Sequence, residues 1–270
     1  MKVSFVTVSY KTPDLVRILL NGVSAARFSF PFEYFLVNNA PGDGTSEMVC
    51  ERFPWVTVID APRNVGFGAG NNLAFREARG EYLMLFNPDL TVCIGEMEKL
   101  LAFADAHPEV GIVGPKVLHP NATLQRTFHR FHTTLIPIYR RTPLGRTPWG
   151  RRALERFLMK DVDETSVHDV DGIFGAAMLL RRRALEEIGH FDERFFMYFE
   201  DVDLCRRAWT KGWKVCYAPV STFIHYLQRE SDIRYWWLGF AHPVSRAHIA
   251  SAVRYFWKYR GQPSPRNSLK

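Results

Sequence analysis

A chain of 270 residues, 47% hydrophobic and 14% aromatic, has ample material for a packed core, in one large domain or one domain with an appendage. A formal charge of +7 and a pI of about 9.3 favour an anionic partner: nucleic acid, a phosphorylated substrate or an acidic membrane. Cys50, Cys93, Cys205 and Cys216 form no CxxC pair, which argues against a zinc site or a disulfide framework and suits a reducing cytosol.

Met1 to Phe5 reads straight into a strand rather than a signal peptide, and no apolar run approaches the roughly 18 residues that span a bilayer. The expectation is a chain that is soluble or rests on a membrane surface. Val3 to Val8 is the first strand. Thr12 as N-cap, Pro13 at the first helical position and Asp14 in the first turn then start a helix, with Leu15, Ile18, Leu19 and Val23 on one face. Phe32 to Val37 is the second strand and ends in the turn formers Asn38 to Gly44. A short helix to about Phe53 and a third strand, Val56 to Ile59, follow.

Arg63 to Asn72 is rich in glycine and leads into a helix. Its GxGxG spacing after a third strand fails the dinucleotide fingerprint, GxGxxG after a first strand. Such a stretch either lets backbone N–H groups approach an anion or ribose, or simply makes a tight turn. Tyr82 to Phe86 is five apolar residues without alternation, the pattern of a strand buried on both faces. It stops at Asn87-Pro88-Asp89, because Pro88 cannot donate to a ladder and disfavours helical geometry at Asn87. Asp89 therefore falls just past the carboxyl end of a central strand, where open α/β sheets bind ligands. A carboxylate there can hold a divalent cation and, through it, a diphosphate; the same tripeptide also makes an ordinary Asx turn.

A helix from about Gly95 to His107 and a fifth strand, Val110 to Val113, complete a β-α alternation that implies an α/β, doubly wound, mostly parallel sheet. The next span carries Arg126, Arg130, Arg140, Arg141, Arg146, Arg151, Arg152, Arg156 and Lys160, opposed within it only by Glu155. Prolines at 137, 143 and 148 break any long element, so the span reads as a mobile basic loop or a broken helix. It is either a solvated face or a surface for a phosphate-bearing partner. Ala176 to Leu180 is another buried strand, and Arg181 to Ile188 a short helix.

From Glu200 the pattern is helical to about Lys211. Leu204, Cys205 and Ala208 form the inward face with Asp201 at its edge, while Glu200, Asp203 and Arg207 share another face. An acid is favoured at a helix start, but that accounts less well for one pointing inward. Val215 to Tyr217 and Val220 to His225 are strands. Ile233, Trp236, Trp237 and Phe240 follow helical spacing, as do Ile249, Val253 and Phe256, with Arg246, Arg254 and Lys258 on a separate face. These are either a helical pair packed on the core or a basic aromatic surface for a membrane interface.

Together these stretches resemble glycosyltransferase family 2, with its GT-A fold, and within it the rhamnosyltransferase-like branch of bacterial polysaccharide assembly. The carriers are Thr7-Val8-Ser9-Tyr10, Asn38-Asn39-Ala40, Asn64-Val65-Gly66-Phe67 with Gly70-Asn71-Asn72, Asn87-Pro88-Asp89, Gly175-Ala176, Phe191 to Phe196, Tyr198 to Leu204, and His225. The resemblance implies that Thr7, Ser9, Asn38 and Asn39 hold the nucleotide, with Arg63, Asn64, Gly66 and Asn71 lining the same pocket. It implies that Asp89 matches the metal-binding acid of a DXD motif whose first acid is Asn87 here, with His225 a second ligand for Mg²⁺ or Mn²⁺. Asp201 would be the general base and Glu200 its neighbour, and Gly175, Ala176 and Arg229 would face the acceptor.

The implied reaction is an inverting transfer of a sugar, rhamnose from dTDP-rhamnose, to a lipid-linked or polysaccharide hydroxyl. Its setting would be the cytoplasmic face of an anionic membrane. Residues 1–115 would bind the nucleotide sugar, 116–228 the acceptor within the same domain, and 229–270 form a helical extension. A nucleotidyltransferase would share the sheet and the metal but needs a basic glycine-rich loop where Ser9 to Pro13 stands. A nucleic-acid-binding module explains the charge but neither Asp201 nor the Asn87-Pro88-Asp89 turn, so no nucleic-acid partner is expected.

Overall fold

The computed structural model describes residues 1–226 and 243–268. The first half runs β1 (Val3–Ser9), α1 (Pro13–Ala26), β2 (Phe32–Asn38), α2 (Thr45–Arg52), β3 (Val56–Asp60), α3 (Phe67–Phe75), β4 (Tyr82–Phe86), β5 (Leu90–Thr91), α4 (Glu96–Ala106) and β6 (Val110–Leu118). An excursion follows: β7 (Leu124–Gln125), β8 (Phe128–His129), α5 (Ile136–Arg141), a 3₁₀ turn (Pro143–Arg146), α6 (Pro148–Phe157), β9 (His168–Asp169) and β10 (Gly172–Ile173). The chain closes with β11 (Ala177–Arg181), α7 (Arg182–Ile188), α8 (Glu200–Thr210), β12 (Lys214–His225) and α9 (Pro243–Lys258).

One sheet carries strands from both halves in the order β3-β2-β1-β4-β11-β6-β12-β5. β1, β2, β3 and β4 are mutually parallel, as are β6 and β12, while β11 runs antiparallel between β4 and β6. The mostly parallel sheet is as the sequence implies, but the fifth strand does not lie beside the fourth. β12 is one strand with a bulge between Ala218 and Thr222, where the sequence reads as two.

β4 is central because nothing in it tolerates water: all five residues are at most 2% exposed. Met84 and Phe86 face the layer built by α1 and α4; Leu83 and Leu85 face the layer built by α3, α7 and α8. Each such side chain contributes about 1.5–3 kcal/mol on burial. On α1 the buried stripe is Val16, Leu19, Leu20 and Val23, whereas Ile18 is exposed. The expected face was thus rotated by about one residue. Thr12 does sit at the N-cap, yet its hydroxyl bonds to Ser9 Oγ rather than to the helix.

The basic span is a broken helix. Arg126 pairs with Glu164 at 2.9 Å and Arg130 with Asp161 at 3.1 Å, acids that lie beyond the span in sequence. On α9 the buried residues are Ser245, His248, Ser251, Ala252 and Tyr255, while Ile249 and Val253 face outward. Phe195, Phe199 and Val202 receive that buried face. The aromatic run at 233–240 and Arg229 lie outside the described residues.

Candidate active site

The carboxyl edge of the sheet gathers nearly every residue the sequence singles out. Asp89 follows β4 in the turn closed by the Leu90 N–H to the Asn87 carbonyl, and β5 then pairs antiparallel with the end of β12. That pairing carries His225 to Asp89, with Nε2 and Oδ1 2.9 Å apart across 136 residues of chain. His225 Nδ1 lies 3.0 Å from Gln125 Oε1 in β7. When Nδ1–H donates to Gln125, Nε2 turns its lone pair to the carboxylate, and the two acceptors are satisfied by a shared proton or cation. An imidazole oriented by an amide behind it is the usual arrangement of a metal-binding histidine. A carboxylate and an imidazole suit Mn²⁺, and less strictly Mg²⁺, provided a ligand's oxygens complete the shell. Among the described residues no cluster of three His, Cys, Asp or Glu side chains is placed to hold an ion. The pair fits a metal shared with a diphosphate, not one caged by protein alone. Gln125 was not expected from the sequence, where nothing marks a lone glutamine in a loop.

Asp201 sits in the first turn of α8, 8% exposed. Its Oδ2 accepts from the Gly175 N–H at 3.0 Å and its Oδ1 from the Val202 N–H at 2.8 Å. Burial pushes its carboxyl above the ordinary aspartate range, and those backbone N–H groups and the nearby Arg140 pull the other way. The two residues before the helix, Tyr198 and Phe199, both hold left-handed backbone, φ +66° and +67°. Such a pair of non-glycine residues costs of order 1–3 kcal/mol each and marks a turn that the surroundings dictate.

Glu200 and Asp203 do not face outward as their helical spacing implied. Glu200 is 5% exposed and packs on Gly68 of α3. Its burial, and then the charge of Asp201, push its carboxyl well above the usual range. Asp203 is wholly buried and accepts from Arg207 Nε, Lys258 Nζ and Tyr259 OH. The expectation failed because α8 is covered by α3 at Glu200 and by α9 at Asp203, which no periodicity within α8 can reveal.

On the opposite side of the edge the turn after β3 approaches the loop before α8. Gly66 has φ +90°, and a Cβ there would fall on the carbonyl oxygen of Phe196. This is a position that only glycine fills. Phe67 N–H donates to that same carbonyl at 3.1 Å, and Asn64 Oδ1 accepts from Gly66 N–H. Asn72, quoted in the motif but given no role, clamps the loop through both amide atoms to the backbone of Phe191.

The other expected nucleotide residues line the same edge with their side chains engaged internally. Thr7 is wholly buried with its hydroxyl on Tyr34 OH, and Asn38 spends its amide on Asp43, Ser46 and the Ala40 N–H. Asn71 donates to the Phe67 carbonyl and Asn39 to the Gly66 carbonyl, leaving Asn39 Oδ1 without a partner among the described residues. Arg63 is exposed. Asp60, absent from the expected set, stands exposed at the end of β3 and accepts from Ser46 Oγ at 2.6 Å.

Gly175 and Ala176 join the two halves of the site. Asn87 N–H donates to the Ala176 carbonyl at 3.0 Å, while Gly175 N–H holds Asp201. A Cβ on Gly175 would collide with the Phe67 ring.

The model of the glycosyl transferase family 2 matches residues 4–189, and the chain belongs to that family. Asp201 and His225 lie beyond the matched span. The chain is 28% identical over 215 residues to the N-acetylglucosaminyl-diphospho-decaprenol L-rhamnosyltransferase of Mycobacterium tuberculosis, covering 73% of this chain and 67% of that one. It is 23% identical over 276 residues to the rhamnosyltransferase WbbL of Escherichia coli, covering 96% and 94%. Among solved structures, GalNAc-T7 with UDP, GalNAc and Mn²⁺ superposes with a TM-score of 0.67 at 15% identity, covering 97% of this chain and 48% of that chain. The fold is GT-A, and the chain is a glycosyltransferase of the family 2 type with rhamnosyltransferase relatives.

Proposed function

We propose that this glycosyltransferase moves rhamnose from dTDP-rhamnose, with inversion, to a hydroxyl of a lipid-linked or polysaccharide acceptor at an anionic membrane surface. The observation that carries the reading is the bridge at Gly175-Ala176. One backbone carbonyl is tied to the turn that ends in Asp89 and the adjacent N–H to Asp201, so the diphosphate side and the base are held in fixed relation.

In this reading the acceptor hydroxyl donates to the Asp201 carboxylate, which takes its proton as the oxygen attacks the anomeric carbon. Attack from the face opposite the departing diphosphate inverts the configuration and needs no covalent intermediate. Asp89 and His225 would hold Mg²⁺ or Mn²⁺, which supplies positive charge to the leaving diphosphate when bound. The glycine-gated turn at Gly66, with Arg63, Asn64 and Asn71, would receive the nucleotide. The M. tuberculosis relative's name supports a lipid diphosphate acceptor and both curated relatives support rhamnose.

Two amphipathic surfaces support the membrane. Leu135, Ile138, Leu144 and Trp149 are exposed among the arginines of the excursion, and Ile249, Val253 and Trp257 are exposed on α9 beside Arg246, Arg254 and Arg260. Basic aromatic faces of this kind lie in anionic interfaces. No helix among the described residues is long and apolar enough to cross a bilayer.

The test is a thermal-shift and turnover panel of nucleotide sugars with and without Mn²⁺ or Mg²⁺, using membrane extract as acceptor source. dTDP-rhamnose should raise the melting temperature only with metal and label a lipid fraction. Stabilisation by RNA and by no nucleotide sugar would overturn the reading.

A further inference from the structure

Phe174 links the excursion to Asp201. It directly precedes Gly175, whose N–H donates to Asp201 Oδ2 at 3.0 Å, and its ring lies 4.5 Å from that of His129 in β8. Over the same ring, 5.7 Å from its centroid, stands the guanidinium of Arg140, which is also 6.0 Å from the centre of the Phe157 ring. The helix that presents it, α5, is fixed at both ends. Ile136 at its start is 4% exposed, and a Cβ on Gly145 in the following turn would strike the Tyr139 carbonyl oxygen. A planar guanidinium over aromatic faces is positioned without using its N–H donors.

Arg140 is exposed, and Phe174 and Gly175 are each half-buried. Accessible surface therefore continues from the arginine to the residue that holds Asp201. Burial is the largest influence on the carboxyl of Asp201 and on the imidazoles of His129 and His132, and the charge of Arg140 acts on all three. A positive charge beside a proton acceptor lowers its basicity, so an arginine here works against the transfer if it serves the protein alone. It gains a use when the substrate brings a negative group close to the attacking hydroxyl. Phosphate oxygens match the guanidinium fork, and a charged pair of that kind is stronger than a neutral hydrogen bond.

We propose that Arg140 binds a phosphate attached to the acceptor sugar, so that the enzyme selects sugar-diphosphate acceptors over uncharged glycans. This rests on the transferase reading above and decides between its two acceptor classes. The headgroups of an anionic membrane offer the same chemistry, and the experiment separates the two sources.

Wild type, Arg140→Gln and Arg140→Lys are compared with dTDP-rhamnose as donor and two acceptor probes in neutral detergent: N-acetylglucosaminyl-diphospho-farnesol and farnesyl N-acetylglucosaminide. The probes differ only in the diphosphate. The readout is the ratio of kcat/KM for the first probe to that for the second. It should fall about 10- to 100-fold in Arg140→Gln, as loss of a charge-assisted hydrogen bond predicts, and recover in part in Arg140→Lys. A ratio within twofold of wild type in Arg140→Gln, whether or not both rates fall together, overturns the assignment and leaves the transferase reading standing. Sedimentation with phosphatidylglycerol vesicles is the second arm. Loss of vesicle binding in Arg140→Gln with the ratio unchanged gives the arginine to membrane headgroups and likewise overturns the assignment. A wild type that binds no nucleotide sugar, or transfers to neither probe, overturns the acceptor reading itself and the assignment with it.

Discussion

Lys258 Nζ lies 2.5 Å from Oδ1 of the wholly buried Asp203, and so ties the C-terminal helix to the turn that carries Asp201. The same ammonium reaches Asp192 Oδ2 at 2.8 Å, in the loop whose Phe196 carbonyl receives the Gly66 turn. One cation therefore joins α8 to the loop against which the Gly66 turn is built. The interaction leaves its mark on Asp192: Arg194 first, and Lys258 with it, hold that carboxyl well below the ordinary range.

Replacing Lys258 by Met leaves the buried Asp203 and the half-buried Asp192 short of one cation, with Arg207 and Arg194 still present. Stability should fall by about 2–3 kcal/mol, between the values for exposed and fully buried pairs. Urea unfolding measures this. If Lys258 only glues two helices, kcat at saturating substrates stays intact in the folded fraction; if it aligns the base, kcat falls while donor KM holds.

Asp201→Asn keeps shape and removes the proton acceptor, so turnover should fall about 10²- to 10⁴-fold with donor affinity unchanged. Glu200→Gln should cost far less, because burial and the charge of Asp201 favour the neutral form of Glu200, which glutamine resembles. A dead Glu200→Gln with an active Asp201→Asn would move the base to the neighbouring residue.

Glu200 also makes stability depend on pH. Its carboxyl is raised in the folded chain, so the folded state keeps a proton that the unfolded chain releases near its ordinary value. Stability contributed by that proton is present below the unfolded pKa and declines as pH rises toward the folded one. Melting temperature should therefore fall with rising pH above about 4.3 more steeply in wild type than in Glu200→Gln. Parallel curves would refute a raised Glu200 carboxyl.

Asp89→Ala should abolish the metal-dependent part of donor binding while the fold persists, and Gln125→Leu should weaken it about 10- to 100-fold, as loss of an outer hydrogen bond to a metal-bound imidazole does. Donor titrations with and without EDTA measure both. Identical affinities under the two conditions would exclude a metal role.

Binding to anionic vesicles should weaken as salt rises, and Trp257→Ser with Val253→Ser should lower it further at low salt. Sedimentation showing no preference for anionic over neutral vesicles would remove the membrane from the reading.

The fold was legible where local pattern and burial agree. The unbroken run Tyr82 to Phe86 marked the central strand, and Pro88 marked where it must end. The pairing of Asp89 with His225 was reachable only through the family resemblance, since 136 residues separate them and the antiparallel β5–β12 pairing that joins them has no local signal. Glu200 and Asp203 were misread because helical spacing reports one buried face, and α8 is buried on two. Gln125 carried no sequence signal at all. Its significance lies in the imidazole of His225 that a distant segment turns toward it.

β11 runs against its neighbours, so its first residue, Ala177, lies opposite Phe86 at the same edge where β6 ends in Leu118. The excursion between them therefore leaves and returns on one rim of the sheet. Its two attachment points are fixed by strands of the sheet, and it lends the sheet two short strands of its own, β7 against β6 and β9 against β12. That geometry leaves residues 136–157, which pair with no strand, as the part whose length can change without shifting one in register. Variation there can reshape one rim of the sheet while β1 to β4 stay as they are.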